Sequence, residues 1–253
     1  MAESLAGVVL AAGAGTRLAP LTRLRPKALC PVGDRALLDH ALGRLAAVTT
    51  DVAVNVHHGR EAMEDHLSDR AVHLSLEEGE ARGTAGALGL LRPWVDGRAV
   101  LVTNADAWLP VDLEPFVAGW DGERTRLLCV EDPARGDFGD LRYCGVALMP
   151  WDRVASLGSE PSGLYERSWA RDEADDRLDL VVHHGGFVDC GSPADYLAAN
   201  LAWSGGTSVI GVGAEVAPGA ELDRSVVWPG ARVGSAERLV GAVRAGTLTV
   251  LVR

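Results

Sequence analysis

The sequence predicts an α/β protein with a Rossmann-like, mixed but mainly parallel sheet flanked by helices. Two observations predict this fold: short runs rich in Val and Leu that are apolar throughout, and helical stretches between those runs. Continuous apolar runs are typical of strands covered on both faces. Strands that alternate with helices favour right-handed βαβ units and therefore a largely parallel sheet.

The predicted elements follow one another along the chain. The strands cover residues 5–11, 52–56, 72–76, 100–103, 127–130 and 143–149. The helices cover residues 36–48, 84–91, 111–120 and 193–203. The first helix has its apolar residues on one stripe. The last begins with Ser192 as N-cap, Pro193 at the first helical position and Asp195 near the positive end. Residues 159–179 are polar and charged and give no assignment.

The C-terminal segment differs from the rest of the chain, so we predict an α/β domain over 1–205 and a second region over 206–253. Aliphatic residues recur there every six positions in two successive runs, first Ile210, Val216 and Leu222, and then Val227, Val233 and Leu239. This spacing predicts a short left-handed β-helix of hexapeptide type, and two irregular β-hairpins are the alternative. Because so few coils cannot bury their own core, we expect the segment to dock on the first domain or to form a homo-oligomer.

Composition excludes several classes of function. The formal net charge of −11, with no basic stretch, argues against nucleic-acid binding. No apolar run reaches the roughly 18 residues of a membrane helix, and the N-terminus lacks the features of a secretory signal. The cysteines Cys30, Cys129, Cys144 and Cys190 are scattered, which predicts buried thiols rather than a disulfide or metal framework. We therefore expect a cytoplasmic protein.

The chain contains one lysine, Lys27, and all its other basic residues are arginine. An ammonium is a compact point charge, whereas a guanidinium is a wide planar fork, so the two are not interchangeable at a tight phosphate site. Arg17, Arg23 and Arg25 lie close to Lys27 in the sequence. In an acidic protein, an anionic ligand needs such a local concentration of cations. The pattern favours a phosphate site over a lysine retained by chance on a surface loop.

A glycine-rich turn, Gly13 to Gly15, directly follows the first predicted strand. Glycine lets the backbone approach a ligand closely, and successive N–H groups can then bind phosphate oxygens. The turn does not fit the dinucleotide-binding fingerprint, because a third glycine at the required offset is missing. It is not a Walker loop either, since Lys27 does not directly follow a glycine. A purely structural turn is the alternative.

Residues 10–32 resemble the signature of sugar-1-phosphate nucleotidyltransferases, also called nucleotide-sugar pyrophosphorylases. That signature reads L-A-A-G-x-G-T-R-L-x-P-L-T, then a short gap, then P-K-x-L-x-P-V. The chain matches every one of those positions, from Leu10 to Val32. The resemblance extends more loosely over the rest of the chain. It implies an enzyme that joins a nucleoside triphosphate to a sugar 1-phosphate and releases pyrophosphate.

The resemblance also implies roles for particular residues. Arg17 and Lys27 would be catalytic and would contact the triphosphate. The nucleotide would be bound by two groups of residues: the glycine loop Ala11, Ala12, Gly13, Ala14, Gly15 and Thr16, and the base-binding residues Glu78, Gly83 and Thr84. Asn104 and Gly145 would lie at the sugar. Asp106 and Asp189 would hold Mg²⁺, which neutralises charge when two polyanions meet.

Several of these residues could instead have purely structural roles. Asp106 could be a loop or capping residue, and Asp189 could cap the helix that follows it. The pairs His57-His58 and His183-His184 suggest metal ligands, but adjacent residues on a strand point to opposite faces, which favours structural roles. The family's Glu-Lys-Pro segment, whose lysine binds the sugar phosphate, is replaced by residues 131–133, Glu-Asp-Pro. Arg135, Arg142 or the metal alone would then hold that phosphate.

The nucleotide and the sugar stay open at this level. Glu77-Glu78 ahead of Gly83 resembles guanylyltransferases that make GDP-mannose or GDP-heptose, and a carboxylate can accept hydrogen bonds from guanine. Residues 54–58 and the short chain instead resemble uridylyltransferases that act on N-acetylmuramate 1-phosphate. We favour GTP and mannose 1-phosphate, with uridylyl or thymidylyl transfer as the alternative. A non-catalytic regulatory subunit is a further alternative, whereas a glycosyltransferase is disfavoured because the chain lacks the Asp-x-Asp motif.

Overall fold

The computed structural model describes residues 5–252. These residues form two compact units. The sheet unit comprises the described chain up to Gly13 together with His40–Ala105 and Pro110–Gly185. The signature unit comprises Ala14–Asp39, Asp106–Leu109 and the described chain from Gly186 onward.

The helices of the described chain are α1 (Leu37–Ala46), α2 (Arg60–Leu67), α3 (Gly83–Val95), α4 (Glu114–Ala118), α5 (Trp151–Ala155), α6 (Ala170–Ala174) and α7 (Pro193–Trp203). The four predicted helices are present as α1, α3, α4 and α7, the first three with shifted ends, and three further short helices in the described part of the chain were not predicted. A single π-helical turn, Tyr165–Trp169, precedes α6. No helix within residues 5–252 has both the length and the apolar character needed to cross a bilayer.

The strands of the first half of the chain are β1 (Ala6–Leu10), β2 (Pro31–Val32), β3 (Arg35–Ala36), β4 (Val52–Val56), β5 (His73–Leu76), β6 (Val100–Asn104), β7 (Ala107–Trp108) and β8 (Thr125–Glu131). Those of the second half are β9 (Leu141–Met149), β10 (Leu178–Val182), β11 (Val188–Asp189), β12 (Val209–Ile210), β13 (Glu215–Val216), β14 (Glu221–Asp223), β15 (Val226–Val227), β16 (Arg232–Val233), β17 (Arg238–Val240), β18 (Ala242–Ala245) and β19 (Leu248–Leu251).

The sheet unit contains a seven-stranded sheet in the order β10-β8-β9-β6-β1-β4-β5. Strand β9 is antiparallel to both of its neighbours, and the other pairings are parallel, so the sheet is mixed but mainly parallel, as predicted. Apolar side chains of β1, β6 and β9 are buried together with those of α3. The carboxyl ends of the parallel strands share one edge, which is the usual place for a ligand in α/β proteins.

Strand β10 begins at the end of the polar stretch 159–179 that the sequence pattern left unassigned. It pairs in parallel with β8 at the end of the sheet, with Leu178 opposite Thr125. Its residues are all half-buried. An edge strand that is covered only in part does not need a continuous apolar run, and this is why the pattern did not reveal it.

The C-terminal segment of the signature unit forms three short parallel ladders. Each strand pairs with the strand 17 positions further on, through β12-β15-β18, β13-β16 and β14-β17. Val227, Val233 and Leu239 are buried, as the spacing predicted. Ile210 was wrongly predicted to point inward: it is 54% exposed, and its neighbour Val209 is buried instead.

The C-terminal segment and the residues after the glycine loop share one hydrophobic core. Leu18, Leu21 and Val32 belong to the same buried cluster as Val227 and Trp228. The C-terminal segment therefore buries its apolar side chains against the signature residues of its own unit. The left-handed β-helix, the domain boundary after residue 205 and a homo-oligomer through this segment stay predictions.

Candidate active site

The side chain of Lys27 lies in a charged cluster of the signature unit. Its Nζ atom is 2.9 Å from Oδ2 of Asp106 and 3.7 Å from Oδ1 of Asp189. Lys27 begins a short 3₁₀ turn after Pro26, and its side chain is 8% exposed. A buried ammonium needs charged partners. The lysine that sequence reasoning placed at phosphates is thus paired with the two carboxylates predicted to bind metal.

Two short strands hold these carboxylates side by side. Strands β7 and β11 are antiparallel, with Ala107 opposite Asp189, and the backbone N–H of Cys190 donates to the carbonyl of Asp106. The side chains of Asp106 and Asp189 are 44% and 30% exposed, so both are accessible to solvent.

Asp189 is not the cap of the helix that follows it. The N-cap of α7 is Ser192, whose Oγ accepts from the N–H of Asp195, and the Asp195 carboxylate accepts from the N–H of Ser192. This reciprocal pair is a capping box, and it satisfies the start of the helix without Asp189. The expectation that Asp189 could cap this helix is therefore wrong.

Two carboxylates facing one cation are a donor set that suits Mg²⁺. This ion prefers oxygen ligands and is commonly held by one or two carboxylates together with water and substrate phosphates. Within residues 5–252, His, Cys, Asp and Glu nowhere form a group of three or more arranged for a metal. The residues present therefore fit an ion that takes its remaining ligands from a phosphorylated substrate.

Position 15 requires glycine for two reasons, its backbone conformation and the close approach of neighbouring side chains. Its φ angle is 61°, in the left-handed region, and a Cβ there would lie 2.8 Å from Cβ of Lys27 and 2.9 Å from Cγ2 of Thr22. The Thr22 hydroxyl donates to the carbonyl of Gly15. Any larger residue would strain the turn and displace Lys27.

The exposed side chain of Arg17 lies over the backbone of Gly191. A Cβ on Gly191 would be 3.3 Å from Nη2 of Arg17, so a side chain there would push the guanidinium away. Thr16 begins the 3₁₀ turn that carries Arg17, and Ala14 and Thr16 are exposed. Arg17 thus lies close to the segment that carries Asp189.

At the ligand edge of the sheet unit, a closed hydrogen-bond network holds the start of the glycine loop. The N–H of Ala11 donates to Oδ1 of Asn55 at 2.7 Å, and Nδ2 of Asn55 donates to Oε1 of Glu77 at 2.7 Å. Oε2 of Glu77 accepts from the N–H of Arg82. Asn55 was not among the sequence-predicted site residues, although a polar residue inside the apolar run of β4 is a signal that could have revealed it.

The two adjacent residues Glu77 and Glu78 differ in their surroundings. Glu77 is buried, and both its carboxylate oxygens accept hydrogen bonds from the protein. Glu78 is exposed. Of the two acidic residues, Glu78 is therefore the one whose carboxylate is accessible, and its contact with a nucleotide base stays a prediction.

Gly83 and Thr84 support the turn that follows. Gly83 has a φ angle of 67°, and a Cβ there would lie 2.5 Å from the carbonyl oxygen of Ser162. The hydroxyl of Thr84 accepts from the N–H of Leu164. These contacts give both residues a structural role within the sheet unit, and their contact with a nucleotide stays a prediction.

The structure brings Asn104 and Gly145, the residues predicted to lie at the sugar, close together. Gly145 lies in a β-bulge of β9, with a φ angle of 88°, and a Cβ there would be 3.2 Å from Cβ of Asn104.

The glycine loop is less crowded than this position, because a Cβ on Gly13 would meet no atom within 4 Å. The backbone at Gly13 is thus open to close approach by a ligand.

The first histidine pair and the cysteines have structural surroundings, and the structural role of the pair His183-His184 stays a prediction. Nδ1 of His57 and Nδ1 of His58 lie 3.1 Å from the carbonyl oxygens of Glu77 and Ala12 respectively. Nε2 of His183 is buried without a hydrogen-bond partner among the described residues. The four cysteines are free and buried, and burial is the main factor that raises the pKa of each thiol to about 12.

A mainly parallel sheet with an open glycine turn at its ligand edge, and a cluster of one buried lysine with two accessible carboxylates, define a class of protein that handles phosphorylated ligands. Residues 6–135 match the family model described as nucleotidyl transferase. The chain belongs to this nucleotidyl transferase family.

The curated relatives narrow the class. The N-acetylmuramate alpha-1-phosphate uridylyltransferase of Caulobacter vibrioides is 32% identical, over 76% of this chain and 94% of that protein. The mannose-1-phosphate guanylyltransferase catalytic subunit beta of Dictyostelium discoideum is 24% identical, over 76% of this chain and 62% of that protein. The chain is a sugar-1-phosphate nucleotidyltransferase, which confirms the predicted enzyme class. Enzymes of this family generally use a divalent metal.

The fold is confirmed by a solved structure. The crystal structure of a Bacillus anthracis protein described as a glucose-1-phosphate thymidylyltransferase matches with a TM-score of 0.65 at 20% identity. The match covers 78% of this chain and 94% of that one. At this identity, the likeness shows the fold alone.

Proposed function

We propose that this enzyme transfers a uridylyl group from UTP to the 1-phosphate of an N-acetylated amino sugar acid, of which N-acetylmuramate 1-phosphate is the model. The observation that carries the proposal is the 32% identity to the Caulobacter vibrioides uridylyltransferase over 94% of that protein's length. The guanylyltransferase relative is less similar and is covered over a smaller share of its length.

In the proposed reaction, a phosphate oxygen of the sugar 1-phosphate attacks the α-phosphorus of the nucleoside triphosphate in line. The bond between the α-phosphorus and the oxygen that bridges to the β-phosphorus breaks, and pyrophosphate leaves. The nucleophile is already anionic, so a general base is not needed. The protein mainly positions the reactants and neutralises their charge.

Lys27 and Arg17 would provide that neutralisation. Lys27 has three N–H donors, of which one is hydrogen-bonded to Asp106. The others can reach oxygens of the leaving pyrophosphate, and the exposed guanidinium of Arg17 can bind two oxygens at once. We propose Asp106 and Asp189 as the ligands of Mg²⁺. When bound, that ion supplies positive charge to the phosphates that meet at the site.

A second candidate is guanylyl transfer from GTP to mannose 1-phosphate, and Glu78 favours it. Its carboxylate is exposed, whereas both oxygens of Glu77 are engaged in the protein. A free carboxylate can accept from both N1–H and N2–H of guanine, whereas uracil offers only one such donor. The distinction depends on a few hydrogen bonds, which can contribute large specificity in a buried site.

The test measures pyrophosphate release with Mg²⁺ present. UTP, GTP, dTTP, CTP and ATP are each combined with a panel of sugar 1-phosphates that includes N-acetylmuramate 1-phosphate and mannose 1-phosphate. We expect the highest kcat/KM for UTP with the N-acetylated amino sugar acid. Release confined to GTP and mannose 1-phosphate would overturn this choice in favour of the second candidate.

The Asp106→Asn variant is the matched control, because it changes one proposed metal ligand by a single atom and should lose release with every pair. Silence of the wild-type enzyme over the whole panel, while it still binds a nucleotide, would contradict both candidates. That result would favour the non-catalytic regulatory subunit.

A further inference from the structure

Arg25 stacks on an aromatic ring of the C-terminal segment. Its guanidinium carbon lies 4.7 Å from the centre of the ring of Trp228. Both residues belong to the signature unit, although they are about 200 positions apart in the sequence. A guanidinium over an indole is the most favourable form of cation–π contact, and it holds the planar group by its face.

The guanidinium of Arg25 lacks a carboxylate partner within residues 5–252. By contrast, two arginines of the C-terminal segment are paired: Arg232 lies 2.9 Å from Glu215, and Arg238 lies 3.0 Å from Glu221. Since stacking uses the face of the guanidinium, the N–H donors on its edge stay available for an anion.

The ring that supports Arg25 is itself fixed by hydrogen bonds. Trp228 is 2% exposed, and its Nε1–H donates to Oη of Tyr196 at 2.9 Å. The buried hydroxyl of Tyr196 donates in turn to the carbonyl of Pro31. This chain joins the C-terminal segment, α7 and the signature residues. The indole is therefore a rigid support for the guanidinium.

The positive charges of Arg25 and Lys27 both affect the Cys30 thiol of the signature segment. Burial raises the pKa of the Cys30 thiol to about 12, and the charges of Arg25 and Lys27 both oppose that rise. The two cations are two positions apart in the sequence, on either side of Pro26. Along the sequence, Arg25 is therefore the cation nearest to Lys27.

We propose that Arg25 is a binding residue for the pyrophosphate portion of the nucleoside triphosphate, and that Trp228 is the positioning residue that orients it. The C-terminal segment would thereby take part in substrate binding instead of serving only to complete the fold. The inference rests on the transferase activity, but it does not depend on the base or on the sugar, because every nucleoside triphosphate carries the same pyrophosphate.

The test is isothermal titration calorimetry of inorganic pyrophosphate binding to the full-length enzyme with Mg²⁺. For Arg25→Gln we expect the Kd to rise about tenfold, as for the loss of one charge-assisted contact. Trp228→Leu should raise the Kd several-fold, whereas Trp228→Phe, which keeps an aromatic face, should stay closer to the wild type. The double variant Arg25→Gln/Trp228→Leu should be no weaker than Arg25→Gln alone, because the two residues act through one contact.

Two matched controls lie in the same unit. Arg238→Gln removes a surface charge of the C-terminal segment, and Trp203→Leu removes a half-exposed tryptophan. Both should leave the Kd unchanged. If Trp228→Leu does not fold, Arg25→Gln and Trp228→Phe still test the proposal, since Arg25 is not part of the buried core.

An unchanged Kd for folded Arg25→Gln would overturn the inference. So would a rise in the KM for the sugar 1-phosphate with no change in pyrophosphate binding, since Arg25 would then act on the other substrate. A lower melting temperature of the Trp228 variants with an unaltered Kd would assign the indole a structural role only. If the wild-type enzyme prefers an unexpected base or sugar, the proposed function fails, and the comparison of the Arg25 variants still stands.

Discussion

The two units hold their site residues in different ways. At the edge of the sheet unit, Asn55, Glu77 and the backbone of Ala11 form a buried network in which both oxygens of the carboxylate are satisfied within the protein. In the signature unit, Lys27 is paired with Asp106 and Asp189, whose carboxylates are accessible to solvent. The hydrogen-bonding groups of the first network are all satisfied within the protein, whereas the charged groups around Lys27 are accessible and can bind a ligand.

Because of this difference, we expect substitutions in the two groups to affect different properties, stability in one case and activity in the other. A closed network contributes to stability, because removal of one partner leaves a buried polar group unsatisfied. An accessible charged cluster contributes chiefly to binding and catalysis, since its net contribution to stability is small once solvent is near. Substitutions at the sheet edge should therefore change the melting temperature, and those in the cluster should change rates and ligand affinities.

Lys27→Arg should have the largest effect on activity. The charge is kept, but the wide guanidinium does not fit beside Gly15, where the lysine side chain already packs tightly. We expect kcat to fall about 10²-fold, the loss typical of one misplaced group that stabilises transition-state charge. Steady-state kinetics with the preferred substrate pair measure this effect.

Arg35→Lys is the control for the Lys27 substitution. It exchanges the same two residue types at an exposed salt bridge with Asp34 and should leave kcat unchanged. Near-normal turnover of Lys27→Arg would contradict the argument that the site requires a compact charge.

Asp189→Asn should weaken the response to metal. If this carboxylate is a ligand, the Mg²⁺ concentration for half-maximal rate should rise at least about 10-fold, since even outer partners of metal ligands contribute that much. The melting temperature should stay close to that of the wild type. Asp195→Asn is the matched control, because it disturbs the capping box and should lower the melting temperature without altering the metal titration. The opposite pattern would show that Asp189 is structural.

Substitutions at Glu77 and Glu78 test the closed network directly. Glu77→Gln keeps one acceptor oxygen but places an amide N–H₂ group against the donor of either Asn55 or Arg82, and it should cost about 1–3 kcal/mol in the free energy of unfolding. Glu78→Gln should leave stability unchanged and shift the ratio of kcat/KM for GTP and UTP. Differential scanning calorimetry and the nucleotide panel measure the two effects. Equal loss of stability in both variants would contradict the division of roles.

The sequence was sufficient for the features that depend on short-range patterns. The central strands are continuous apolar runs, and the glycine turn, the N-cap Ser192 of α7 and the spacing of Val227, Val233 and Leu239 are all local signals. The pairing of Lys27 with Asp106 and Asp189 could be expected only as proximity, through the family resemblance.

What the sequence did not predict depends on long-range packing. Strand β10 is half-buried and lacks a distinct period, and the exposure of Ile210 reflects a one-residue shift that reverses which side chain points inward. The contact of Arg25 with Trp228 joins two segments that are far apart in the chain. Nothing in the local pattern of either segment indicates that partner.

Of the substitutions considered, Ser192→Ala should have the smallest effect on stability and on activity. Its hydroxyl accepts from the N–H of Asp195, and the loss of such a cap costs about 1 kcal/mol. For a chain of this size, that cost corresponds to a fall of about 2–4 °C in melting temperature. Because Ser192 lies three positions after Asp189, the variant also tests whether the start of α7 positions that carboxylate. An unchanged metal titration together with the lower melting temperature would show that β7 and β11 alone position Asp189, and a weaker metal response would show that the capping box contributes.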